Sequence, residues 1–167
     1  MAVLHRPLGT GRAAAALAVA VAGVLTGCSL FDAGPERDSE TGALLEAVEI
    51  NVFDLAVGDC LDGFADGEAV SQILATPCDE EHTHEVFASL TLPDGDYPGQ
   101  EDVDEQARAG CVEQFAVFVG RPWDDSTLDY GYYTPTRQSW ETGDREVLCM
   151  ISDPSGPITG TLEGTDR

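Results

Sequence analysis

This sequence predicts an α+β fold, a small antiparallel sheet with one main packed helix, closed by two disulfides. Three observations lead there. Val103, Ala107, Cys111, Phe115 and Val119 recur at helical spacing and give one apolar stripe. Shorter segments alternate apolar and polar residues between turn-forming clusters, as half-buried strands do. Cys60, Cys78, Cys111 and Cys149 form an even set in what reads as an exported chain, where disulfides form and persist.

The N-terminus sets that compartment. His5, Arg6 and Arg12 supply a positive region, and Ala13 to Leu25 is an apolar run. The run is shorter than the roughly 20 residues a spanning helix needs, yet it suits a signal peptide. Leu25-Thr26-Gly27-Cys28 behind it reads as a lipobox, at which the leader is cut and Cys28 is lipidated. An ordinary secreted precursor or a short membrane anchor is the alternative. The expected division is therefore a signal peptide at 1–27, a lipidated N-terminus and flexible linker at 28–46, and a folded domain at 47–164. The linker assignment rests on the polar, turn-rich stretch from Ser29 to about Gly42. The expected location is the extracytoplasmic face of the cell membrane.

Within the domain, Val48 to Val52 alternates as a strand, and Gly58-Asp59 breaks the chain before Cys60. Residues 60–64 and 70–76 pair as a hairpin across the Asp66-Gly67 turn, which brings Cys60 and Cys78 together at its open end. His82 to Leu92 is the clearest strand, with Val86, Ala88, Leu90 and Leu92 on one face. Phe87 interrupts its polar side. Turn residues from Pro93 to Gly99 precede the helix. Asp102 is expected as its N-cap, with Glu105 completing a capping box. Gly110 sits in mid-helix at a cost of about 1 kcal/mol, and Gly120 ahead of Arg121-Pro122 is a stop. Val147 to Ile151 is wholly apolar, as a strand covered on both faces would be. The helix stripe and that strand each carry one cysteine, so Cys111–Cys149 is the natural second bridge. Four cysteines allow three connectivities, and these packing arguments favour one. An edge strand is expected around Ile158 to Leu162.

Composition narrows the function. The chain has 31 acidic residues against eight basic ones, a net charge of −23, and no lysine. Nucleic acid and anionic head groups both require clustered basic residues, so neither is an expected partner. A solvated acidic surface is the simplest account of the charge. No C-x-x-C pair is present, which argues against a thioredoxin-type site or a zinc ribbon.

Taken in order, the motifs resemble the septum formation-related domain of actinobacterial envelope lipoproteins. The matching residues are Val57-Gly58-Asp59-Cys60, Pro77-Cys78 with His82, Glu85-Val86-Phe87, and Leu92-Pro93 through Tyr97-Pro98-Gly99. Cys111, Tyr133-Thr134-Pro135-Thr136, Ser139-Trp140, and Gly143-Asp144-Arg145 leading to Cys149 complete the set. The resemblance covers roughly Val52 to Gly164. It departs locally, since Glu81 stands before His82 where the family often has proline. It implies an envelope location and an association with septum formation, and carries over no activity, ligand or catalytic residue.

Two groups of side chains are candidates for binding. His82 and His84 would point the same way on a strand, about 7 Å apart, with Asp79, Glu80, Glu81 and Glu85 nearby. These types can hold a metal, but the histidines can equally cap the edge of the core. Trp123, Tyr130, Tyr132, Tyr133 and Trp140 could hold wall sugars on their ring faces, or complete a core and its rim. Asp124, Asp125 and Asp129 lack calcium-loop spacing. No G-x-S-x-G, S-x-x-K or H-E-x-x-H occurs, so no catalytic residue and no cofactor are expected. The expectation is a non-enzymatic, lipid-anchored binding or scaffolding module linked to septum formation or cell division. Its partners would be the membrane, through the lipid, and an envelope or division protein or peptidoglycan. A lipoprotein that binds wall glycan or metal is the alternative.

Overall fold

The computed structural model describes residues 34–64 and 70–167. The expected signal segment, Cys28 and the Asp66-Gly67 turn lie outside them. Six strands form one antiparallel half-barrel sheet: β1 (Val48–Asn51), β2 (Cys60–Leu61), β3 (Gln72–Thr76), β4 (His84–Thr91), β5 (Asp129–Tyr133) and β6 (Glu146–Ser152). Their spatial order is β1-β3-β2-β4-β6-β5. Helix α1 (Gln100–Val119) packs on one face, and the short α2 (Arg137–Glu141) lies between β5 and β6 in sequence. This is the α+β architecture the sequence predicts.

Each face of the sheet carries a core. On the α1 side, the stripe Val103, Ala107, Cys111, Phe115 and Val119 is fully buried against Phe87, Ala88, Val147, Cys149 and Ile151. On the other side, Ile50, Leu61, Ile73, Ala75, Val86, Leu148 and Met150 gather with Leu44 and Leu55. β6 contributes to both, so its uninterrupted apolar run follows from burial on two faces. The disulfides are Cys60–Cys78 and Cys111–Cys149, the pairs the packing arguments favour. The second ties the buried face of α1 to β6. Residues 60–61 pair with 75–76 as the hairpin requires.

Several expectations need correction. β4 does not keep one alternation from Val86 to Leu92. Its register against β6 slips between Val86↔Met150 and Ala88↔Cys149, and the extra residue of a bulge turns the following side chains over. Val86 therefore joins the core opposite to Ala88 and Leu90, while Phe87 lies on the α1 side, edge-on to Phe115 at 6.0 Å. α1 begins two residues before Asp102. Gly99 is its N-cap at φ 110°, a left-handed conformation that glycine adopts without strain. Glu101 and Asp102 then occupy the first turn, where the helix dipole favours them. A capping box does occur, at α2, between Thr136 and Ser139.

The tail forms no strand among the described residues. Ile158 makes a single bridge with His82. Beyond it the buried Glu85 carboxylate accepts from the Thr161 hydroxyl at 2.6 Å and the Leu162 N–H at 2.8 Å, replacing a ladder. The expected linker also ends earlier than residue 46. Arg37 clasps Asp59 through two bonds of 2.5 and 2.8 Å and bridges Leu44, which is buried. Asp59, only 2 % exposed, also accepts from the Ala56 N–H. That hydrogen bond to Asp59 raises the Arg37 pKa above its ordinary value.

Candidate functional site: a groove along β5

β5 is the last strand of the sheet and pairs, among the described residues, with β6 alone. A groove of about 1100 Å³ runs along it. One wall is built by α1 and the turn that follows it: Gln100, Asp104, Arg108 and Trp123, with Tyr130 and Tyr132 of β5. The opposite wall holds Phe53, Phe64, Val70 and Tyr133. α2 and its flanking residues add Thr136, Ser139 and Asp144 to the lining.

Strand alternation decides which ring goes where. Tyr130 and Tyr132 pack toward the α1 core, and Tyr133 with Phe64 toward the other. Trp123 stands edge-on to Tyr130 at 5.3 Å, and Phe64 lies 5.0 Å from Tyr133. Gly131 makes the second contact possible, since a Cβ there would sit 2.9 Å from the Phe64 ring. Phe53 remains 61 % exposed and Trp123 37 %. These are large apolar surfaces left open to water, the kind that mark interaction sites when they cluster.

The electrostatics are one-sided. Among the described residues, Asp104, Asp129, Asp144 and Glu146 line the groove against a single cation, Arg108. The Tyr132 hydroxyl, as hydrogen-bond partner, raises the pKa of the Arg108 guanidinium. Burial, and then the neighbouring Tyr132, push the Tyr130 phenol up, so it stays neutral and able to donate. Gln100 links the wall together, donating to Asp104 and Thr134 and accepting from the Tyr97 hydroxyl.

Of the five aromatic residues singled out in the sequence, four line this groove and Trp140 does not. It is 5 % exposed. Its Nε1 donates to Gly95 O at 2.9 Å, and Arg145 stacks on its ring at 3.7 Å. Trp140 locks the turn before α1. The two histidines take different partners. His82 is fully buried and its Nδ1 donates to Glu80 O, while His84 faces Phe64 at 5.3 Å across the other core. Burial, reinforced by nearby His82, lowers the His84 pKa. The one cluster of three metal-ligating types among the described residues is Cys60, Cys78 and Glu85, whose sulfurs are joined to each other. Asp124 and Asp125 lie in an exposed turn.

Phe53, Phe64 and Arg108 were not identifiable from sequence. Phe53 and Phe64 belong to no periodic pattern, and Arg108 occupies the polar side of a helix, where an arginine carries no signal. The β5 strand was equally hidden, because an aromatic run with glycine at its centre does not alternate.

The fold and groove define a disulfide-stapled α+β domain with a groove along its last strand, β5. The model of the family described as Septum formation matches residues 27–157, and the chain belongs to that family. No curated protein and no solved structure matches the chain. The family relates the protein to septum formation. No described helix is long and apolar enough to cross a membrane.

Proposed function

We propose that this protein is a non-catalytic docking module of the cell envelope, held on the extracytoplasmic face by lipid on Cys28, that engages a partner at the forming septum through the β5 groove. The observation that carries this reading is the gathering of aromatic and acidic side chains from α1, β5 and the turn after β1 around a strand edge that no described strand covers. Aromatic anchors beside polar rims are what docking sites are made of. The lipobox and the two disulfides support the address, because both belong to exported chains.

The test is made in dividing cells that express a labelled copy. The wild type is expected in the membrane and enriched at septa, with Cys28→Ala recovered outside the membrane fraction. Deletion is expected to disturb septa. Even distribution together with normal septa on deletion would remove the division role, and an unacylated Cys28 in the membrane-bound protein would remove the anchor.

A further inference from the structure

We infer that the occupant of the groove is an extended peptide, which adds as one more strand along the edge of β5 that no described strand covers and carries basic and apolar side chains in alternation. This rests on the docking reading above and names the class of partner.

The shape of the groove comes first. Side chains pointing to opposite faces of β5, Tyr132 on one and Tyr133 on the other, line the same cavity. A cavity can touch both faces of a strand only by following its edge. Along that edge alternate N–H and C=O groups of the outermost strand face away from β6, a template for another strand, with the Tyr130 N–H meanwhile held by the Asp129 carboxylate at 2.9 Å. The walls are also set for a strand. Successive side chains of an added segment point to opposite sides, so one set would meet Asp104 on the α1 wall and the other Phe53 and Phe64. Charge gives the sign. Asp129 lies at one end of β5 and Asp144 and Glu146 beyond the other, in a chain of net charge −23. A basic segment is attracted at both ends of the edge and at Asp104, with Arg108 the one lining cation among the described residues, and an acidic one is repelled. A sugar platform fits less well, since Tyr130 is held edge-to-face by both Trp123 and Phe115, which leaves no open stack of parallel rings.

The test uses the purified protein and a short synthetic peptide alternating arginine and valine, followed by amide hydrogen exchange and titration. Without peptide, alternate β5 amides are expected to exchange slowly, through β6, and the others fast. With peptide, the fast set should become protected. Methylating the peptide's backbone nitrogens along one edge removes its donors and should weaken binding about tenfold or more, the scale of two or three lost hydrogen bonds. Asp129→Arg should weaken it about fivefold, the scale of an exposed ion pair. Unchanged affinity after methylation, or no new protection in β5, overturns the inference. If chitin oligosaccharides bind the groove and the peptide does not, the inference fails while the docking reading stands. If neither binds and groove substitutions leave septal enrichment intact, both fail.

Discussion

β5 and β6 are neighbours, paired residue by residue from Asp129↔Ser152 to Tyr133↔Leu148, yet they do opposite work. β6 is hydrogen-bonded on both edges, buried on both faces, and joined to α1 by Cys111–Cys149. Among the described residues β5 pairs with a strand on one edge, and from Tyr130 to Tyr133 each of its residues is partly exposed. The difference arises from composition. Val-Leu-Cys-Met-Ile has no polar side chain that needs water, so both faces can be covered. Asp-Tyr-Gly-Tyr-Tyr keeps phenols and a carboxylate at half-wet positions. A strand with nothing left to bond holds a fold together, and a strand with one edge open can hold something else.

The largest effects should fall on the β6 side. Converting Cys111 and Cys149 to alanine removes a cross-link spanning 38 residues and is expected to lower unfolding stability by about 4 kcal/mol in denaturant titration. The same change at Cys60 and Cys78, which span 18, should cost about 3 kcal/mol. An equal or reversed order would contradict the placing of β6 at the centre of stability. Comparable in size is Phe115→Ala, which empties a fully buried site and should cost about 3–5 kcal/mol. Phe53→Ala, on the groove wall, should change stability by no more than about 0.5 kcal/mol. A similar loss at both positions would erase the contrast.

The smallest effect concerns pH. Because the folded state lowers the His84 pKa below its ordinary 6.5, the unfolded chain takes up the proton first as the solution is acidified. The neutral ring's contribution is complete above about pH 6.5 and is lost as pH falls through the lower folded value. Stability measured in urea should therefore decline slightly more between pH 7 and 5 for the wild type than for His84→Gln. A steeper decline in the variant would show that another group dominates.

Legibility in the sequence followed the same division. The α1 stripe, the β6 run and both disulfide partners were readable because burial selects residue type, and burial repeats with the period of the element. The β4 bulge was not, since one extra residue at Phe87 reverses a face without changing composition. Nor was the reason for Gly110, whose missing Cβ makes room for a methyl of Leu90. At the site, the aromatic cluster was visible while its geometry was not. Tyr130, Tyr132 and Tyr133 take their places from the edge position of β5, which depends on pairing between distant segments, and Trp140 is drawn away by Gly95 and Arg145. Phe53 and Phe64 reach the groove only through tertiary packing.

One measurement bears on the β5 edge most directly: septal enrichment and rescue of septation by a Phe53→Ser/Trp123→Ser protein in cells lacking the wild type. Both side chains are exposed, so the variant should fold and be anchored at normal abundance. It should nevertheless fail to concentrate at septa or restore them. Full rescue by a folded, anchored variant would contradict the assignment of β5 as the working edge.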